Sequence, residues 1–143
     1  MRLLLDEDVP IQTLVVLQHV LRGHEVKHVH EMRWSGKRDL YLYQDAAGRF
    51  EIVVTNDHRQ LQDPEETARI KKSGVHHVSY TQRVSGVKGL ALAIGAIIAS
   101  MPAVVEALEA ANGQRLVEIH GLDPNRRYRI IDPRRDPPRY WPR

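Results

Sequence analysis

The sequence contains no cysteine, no glycine-rich phosphate-binding loop, no internal repeat and no long hydrophobic run. Without cysteine the protein has no disulfide, no thiolate metal site and no cysteine nucleophile. The longest apolar stretch, residues 89–101, is about thirteen residues long, whereas a membrane-spanning helix needs roughly 20. The opening MRLLLDEDVP has the features of neither a signal peptide nor a membrane span. We therefore expect a cytoplasmic protein with no membrane partner.

The positive charge that the sequence does carry is concentrated near its C-terminus. Residues 1–114 hold 13 Lys and Arg against 14 Asp and Glu, whereas residues 115–143 hold eight Arg against four acids. A basic segment joined to a near-neutral body suits a polyanionic ligand such as a nucleic acid. A solvated tail that only aids solubility is the alternative interpretation.

Acidic residues follow two apolar runs and begin a helix-like segment. Asp6, Glu7 and Asp8 follow the first run, and Thr55, Asn56 and Asp57 follow the run 52–54, while Asp39 opens the segment 39–47. Residues just beyond the carboxyl ends of parallel strands share one crevice, where such folds bind ligands. Crowded carboxylates repel one another unless a proton, a hydrogen bond or a cation compensates them. A hard cation with oxygen ligands is the simplest explanation, and it indicates phosphate chemistry.

The hydrophobic pattern alternates between strands and helices along the chain. This order predicts a mostly parallel sheet flanked by helices, followed by a C-terminal hairpin. Asp63 and Pro64 are typical of a helix start, and Pro102 predicts a kink or break in the last helix. The last eleven residues carry four prolines and four arginines, so we expect an extended or disordered tail. The predicted strands are 2–5, 25–29, 51–55, 75–80, 115–120 and 128–132, and the predicted helices are 9–22, 39–47, 64–73 and 87–111.

The chain resembles the PIN-like superfamily, specifically small bacterial proteins related to VapC-type toxins. The resemblance depends on LLLDEDVP at the start, on DLYLYQDAAGRFEIVVTND from Asp39 to Asp57, and on the continuation to Tyr80. The resemblance covers residues 1–80 and implies a three-layer α/β/α PIN-like domain over 1–114. The residue pattern adds a hairpin over 115–132 packed on that domain and a tail over 133–143. It also implies a divalent-metal-dependent endoribonuclease, with an antitoxin protein as a partner. The apolar helix predicted over 87–111 is a candidate homodimer face.

The resemblance assigns roles to individual residues. Asp6, Asp39 and Asp57 match the family's acids and would be catalytic and hold Mg²⁺ or Mn²⁺, and Asp8 is a fourth metal ligand. Thr55 and Asn56 would hydrogen-bond a phosphate oxygen or the attacking water. Relatives usually carry another acid close to position 59, where this chain has Arg59, so Asp8 or Asp63 would replace that acid. The predicted RNA-binding arginines are Arg59, Arg126, Arg127 and Arg129.

Two other functions remain open from the residues alone. Asp6-Glu7-Asp8-Val9 also fits the D-x-D-x-V signature of haloacid-dehalogenase-like phosphatases, in which Asp6 would be the nucleophile and Asp8 the acid/base. That family requires paired acids after a later strand, and the predicted strand 75–80 is followed by none. A non-catalytic module that binds nucleic acid or a protein partner is the second alternative.

Histidine pairs raise the question of a zinc site, because zinc sites use histidines at short spacings. His28 and His30 lie along or just past a strand, and surface placement explains them. His76 and His77 are neighbours on a strand and point to opposite faces, which disfavours a shared ion.

Overall fold

The computed structural model describes residues 1–36, 39–56, 58–122 and 128–143, with residues 39, 40 and 58 described by their backbone alone. Its strands are β1 (Arg2–Leu5), β2 (Glu25–His28), β3 (Ile52–Thr55), β4 (His76–Tyr80), β5 (Leu116–Ile119) and β6 (Tyr128–Ile131). Its α-helices are α1 (Gln12–Val20), α2 (Asp39–Ala46), α3 (Pro64–Ser73) and α4 (Gly86–Glu109). A 3₁₀ helix, His58–Gln62, lies between β3 and α3.

The six strands form one sheet in the order β2-β1-β3-β4-β5-β6. All neighbouring strands are parallel except β5 and β6, which pair antiparallel. The predicted mostly parallel sheet and the C-terminal hairpin are both confirmed. The parallel strands bring their carboxyl ends to one edge, and this edge carries Asp6, which follows β1, and Asn56, which follows β3.

Helices cover both faces of the sheet. Leu3 and Leu5 face a first core cluster with α1 and α4, whereas Leu4 faces a second core cluster with α2 and α3. This division follows from the strand period of two, because successive side chains point to opposite faces. The unbroken apolar runs of β1 and β3 are therefore buried on both sides, and the fold is consistent with three α/β/α layers.

Two helices differ from their predicted bounds. Helix α1 begins at Gln12 rather than at residue 9, because residues 10–13 form a turn in which Thr13 N–H donates to Pro10 C=O at 3.0 Å. Helix α4 continues through Pro102 without a break. Proline removes one backbone donor, and the buried side chains on both sides of Pro102 hold the helix against the sheet.

Helix α4 is the one helix among the described residues that is long and apolar enough to cross a membrane, with a mean hydropathy of 2.0 over an 18-residue stretch. Its buried side chains, including Ala93, Ile97 and Val104, pack in the first core cluster with α1 and the sheet. Of that 18-residue stretch, 39% is buried inside the protein.

The C-terminal tail packs on the body of the protein, so the expectation of an extended or disordered tail was wrong. Pro133 is buried, and Trp141 packs against the second core cluster. The Lys71 ammonium lies 5.9 Å from the centre of the Trp141 ring and donates to Pro142 C=O. Trp141, one of two tryptophans in the sequence, helps to hold the tail against the body of the protein.

Candidate active site

The carboxyl ends of β1 and β3 lie side by side and place Asp6 next to Thr55. Leu5 and Val54 are register partners, and Asp6 N–H donates to Val54 C=O at 2.9 Å. Asp6 is therefore the next residue along this strand pair. Its side chain points to the same face as that of Leu4, two residues earlier.

The Thr55 hydroxyl lies between two carboxylates. Thr55 Oγ1 is 3.1 Å from Asp6 Oδ2 and 3.4 Å from Asp8 Oδ2. A hydroxyl has one proton, so it fully satisfies one of these two acceptors at a time. The backbone N–H of Asn56 donates to the other Asp8 oxygen, Oδ1, at 3.1 Å. Asp6, Asp8, Thr55 and Asn56, which the sequence assigns to one site, are thus adjacent.

Asp6 is almost fully buried, with 6% of the residue exposed. Its Oδ1 accepts a hydrogen bond from the backbone N–H of Glu7 at 2.8 Å, while its Oδ2 faces Thr55. A buried carboxylate costs free energy unless hydrogen bonds or a cation compensate its charge. The second carboxylate, Asp8, increases that demand because like charges repel.

Tyr80 at the end of β4 adds a neutral hydroxyl that the sequence analysis did not identify. Its Oη donates to Asp8 C=O at 3.3 Å. Burial, followed by the negative charges of Asp8 and Asp6, raises the pKa of the phenol well above its ordinary value. Tyr80 therefore stays protonated and fixes the backbone at Asp8. A buried tyrosine at a strand end was the available signal, but its partner depends on the strand order.

The His28 side chain holds the backbone beside Asp8 and is not placed as a metal ligand. Its Nδ1 accepts from the backbone N–H of His30 at 3.2 Å, so the proton lies on Nε2, which donates to Val9 C=O at 2.8 Å. Burial lowers the pKa of His28, which favours the neutral ring. Both ring nitrogens thus bond to backbone groups, and Nε2 holds Val9, the residue after Asp8.

His76 and His77 point to opposite faces, as the strand period predicts. His76 Nδ1 accepts from Arg115 N–H at 3.0 Å, whereas His77 is fully buried in the layer beneath α2. The His77 ring stacks on Tyr43 at 5.9 Å and its Nε2 lies 3.3 Å from Gln60 Oε1. Tyr43, which is 1% exposed, is likewise a packing residue.

The remaining predicted acids lie partly outside the described residues. Glu7 Oε2 accepts from Gly36 N–H at 2.7 Å, which ties the end of β1 to the loop after β2. Asp39 is the first residue of α2, but its side chain is outside the description, as is the whole of Asp57. The convergence of all three carboxylates stays a prediction.

Of the other predicted residues, the structure describes Arg59, Asp63 and Arg129. Arg59 is an exposed residue of the 3₁₀ helix, and Arg129 on β6 donates to Asp136 at 2.7 Å. Arg126 and Arg127 lie outside the described residues. Asp63 caps α3, because its Oδ1 accepts from Glu66 N–H at 2.9 Å. A cap accounts for Asp63, whereas Asp8 shares the Thr55 hydroxyl with Asp6.

The donor set fits a hard divalent cation only in part. Within residues 1–36, 39–56, 58–122 and 128–143, no three histidine, aspartate or glutamate side chains form a group that could hold a metal ion. Asp6 and Asp8 do converge on one hydroxyl, and magnesium keeps several waters and needs few protein carboxylates. Asp6 and Asp8 therefore fit as two oxygen ligands of such an ion.

Comparison of the chain with protein-family models, with curated proteins and with solved structures finds no match.

Proposed function

We propose that the protein is a divalent-metal-dependent endoribonuclease of the PIN-like type. The observation that carries the proposal is the pair of carboxylates, Asp6 and Asp8, that share the Thr55 hydroxyl at the carboxyl edge of the sheet. Ligand sites of open parallel sheets lie at this edge. Asp39 and Asp57 would complete the acidic set.

Mg²⁺ or Mn²⁺, when bound, supplies charge neutralisation at the scissile phosphate and a lower pKa for a bound water. Asp6 and Asp8 would hold the ion, and buried Asp6 would contribute the better-fixed ligand. Thr55 keeps the two carboxylates in place through its hydroxyl. The Asn56 side chain and Arg59 would contact phosphate oxygens of the substrate.

A cleavage assay on single-stranded RNA with Mn²⁺ or Mg²⁺ tests this function. We expect wild type to cleave and Asp6→Asn to lose cleavage while it keeps the fold, because asparagine retains the size and lacks the charge. The matched control is Glu106→Gln, which neutralises an exposed acid on α4 and should leave cleavage unchanged. Metal-independent cleavage, or full activity of Asp6→Asn, would overturn the proposal.

The phosphatase alternative makes a different prediction for the same carboxylate. An Asp6 nucleophile would become transiently phosphorylated and would bind beryllofluoride as a mimic of that state. A nuclease would show neither. The proposed cellular setting is the cytoplasm, with RNA as substrate and an antitoxin as a protein partner.

A further inference from the structure

A row of polar side chains continues from the candidate site across the sheet. Thr55, Ser79, Glu118 and Arg129 are successive register partners on β3, β4, β5 and β6. The residues two positions away, Val53, Leu116 and Ile131, belong to the second core cluster, so the polar row lies on that same face. Three strand spacings of about 4.8 Å separate Thr55 from Arg129, which is roughly 14 Å.

The far end of this row forms the floor of a groove with a volume of about 390 Å³. Ser79, Glu118 and Arg129 line the floor, Leu61 and Gln62 of the 3₁₀ helix line one wall, and residues 136–139 of the tail line the other. The tail wall contributes Asp136 and Arg139. The groove therefore contains two arginines and two acids, and it includes Ser79, the register partner of Thr55.

Arg129 and Asp136 form an exposed ion pair inside this groove. Their Nη2 and Oδ2 atoms are 2.7 Å apart, and their side chains are 57% and 68% exposed. Exposed ion pairs contribute little because water screens them. A phosphate, in contrast, offers a guanidinium two parallel hydrogen bonds. The Asp136 carboxylate thus occupies the position in which a phosphate would bind Arg129. Because the ion pair is weak, a phosphate can displace it.

The turn that presents Asp136 is itself firmly anchored. The backbone N–H groups of Arg135 and Asp136 both donate to Asp132 C=O at 3.0 Å. The Asp132 side chain accepts from Arg134 at 2.9 Å and lies 3.7 Å from Arg115. Hydrogen bonds from Arg134 hold the pKa of Asp132 at about 2, so this anchor persists at neutral pH.

We propose that the groove is a phosphate-binding subsite for single-stranded RNA, in which Arg129 and Arg139 contact a phosphate remote from the scissile bond and Asp136 occupies Arg129 in the free protein. This inference rests on the proposed function, because it takes RNA as the ligand. The subsite continues the substrate path along the polar row. RNA must displace Asp136 from Arg129, and the free energy of that step lowers the affinity for RNA. Glu118 remains in the groove and opposes binding by its charge.

The test is a double-mutant cycle on the binding of fluorescein-labelled single-stranded RNA, measured by fluorescence anisotropy in EDTA over a series of salt concentrations. We expect Arg129→Gln to weaken binding and to reduce the log–log salt slope by about 0.7, the value for one phosphate contact on a single strand. We expect Asp136→Asn to strengthen binding by up to about fivefold, the equivalent of the roughly 1 kcal/mol upper value for an exposed pair.

The cycle distinguishes the occupation of Arg129 by Asp136 from a general effect of negative charge on RNA binding. If Asp136 acts by occupying Arg129, its substitution strengthens binding in wild type and has no effect when Arg129→Gln is also present. Glu106→Gln is the charge control, because it removes one exposed acid from α4 on the opposite face of the sheet, and its effect on binding should be the same with and without Arg129→Gln. An equal gain from Asp136→Asn in both backgrounds, or an unchanged salt slope for Arg129→Gln, would overturn the subsite.

Binding in EDTA does not depend on catalysis, so the two proposals fail separately. Wild-type protein that binds RNA with these shifts but never cleaves it would retain the subsite and refute the nuclease. Cleavage that depends on Asp6, with no effect of residue 129 or 136 on affinity, would do the reverse.

Discussion

A single buried hydroxyl organises the candidate site at the level of residues. Thr55 is fully buried and faces both Asp6 and Asp8. A donor shared by two carboxylates holds them close together in spite of their repulsion. The site is therefore pre-organised by a neutral residue as much as by its acids.

Replacement of Thr55 tests this role. Thr55→Val keeps the shape and removes the donor, so we expect a loss of about 1–3 kcal/mol in unfolding free energy, the usual cost of leaving a buried polar group unsatisfied. Thr55→Ser keeps the hydroxyl and should lose less. Urea unfolding measures the stability, and RNA cleavage rates with Mn²⁺ should follow the same order. Equal stability and activity of the two variants would show that the hydroxyl is dispensable.

His77 makes the stability of the protein depend on pH. Burial lowers the pKa of His77 from 6.5 to about 4. Between these two pH values the unfolded chain binds a proton at His77 and the folded protein does not. Stability is therefore full above about pH 6.5 and falls as the pH drops towards 4. The loss is on the order of 3 kcal/mol for this residue at most.

Urea unfolding over this pH range compares wild type with His77→Phe, which keeps an aromatic ring beside Tyr43. We expect the variant to lose less stability on acidification, although His28 and His76, whose pKa values burial also lowers, will retain part of the effect. His77→Gln is a second variant in case phenylalanine disturbs Gln60. Identical pH profiles for all three proteins would contradict the assignment.

The residues that the sequence could identify are those at the ends of apolar runs. Asp6 and Thr55 could be located because a buried strand must stop where a charge or a turn begins. Tyr80, Ser79 and Glu118 could not be located in the same way. Their proximity to the site depends on strand order and register, and an isolated strand pattern carries neither.

At the level of elements, capping explains which acids are structural. Asp63 has the extended backbone of an N-cap, Pro64 follows it, and Gly74 ends α3 in the left-handed conformation with φ +70°. These signals are local, so the sequence predicted α3 correctly. The start of α1 is also local, since the helix follows the turn at residues 10–13, whereas the course of α4 through Pro102 depends on packing against the sheet.

Substitution of Asp63 separates a cap from a metal ligand. Asp63→Asn keeps a side-chain oxygen that can accept from Glu66 N–H, so we expect stability and cleavage close to wild type. Asp63→Ala removes the cap and should cost about 1 kcal/mol without changing the metal dependence of cleavage. Thermal unfolding and Mn²⁺ titrations measure the two effects. A loss of metal affinity in Asp63→Asn would assign this residue to the site instead.

At the scale of the whole molecule, the basic residues of the C-terminal segment lie at the β5–β6 side of the sheet. The basic C-terminal segment adds β5 and β6 beside β4 and then returns over α3, where Trp141 packs beside Lys71. The sequence predicted the basic segment and the hairpin but not the return of the tail. Its prolines indicated extension, whereas contacts that oppose extension, such as that of Trp141 with Lys71, join residues that are distant in sequence.

This packing changes what a truncation of the tail should do. Removal of residues 134–143 deletes four arginines and also the Trp141 contact with the second core cluster. We therefore expect weaker RNA binding and a smaller salt slope, together with a lower thermal midpoint, while single-turnover cleavage at saturating protein persists. A loss of cleavage under those conditions would show that the tail contributes to the site itself.

Point substitutions separate the two effects of the tail. A triple variant changes Arg135, Arg139 and Arg143 to Gln. It leaves Trp141 and the Arg134–Asp132 pair in place, so the thermal midpoint should stay near that of wild type. Each phosphate contact that is lost should reduce the salt slope by roughly 0.7. Trp141→Ala is the complementary variant, and it should lower the midpoint while the arginines remain. Unchanged affinity in the triple variant would mean that these tail arginines do not touch RNA, because their only remaining effect would be on solvation.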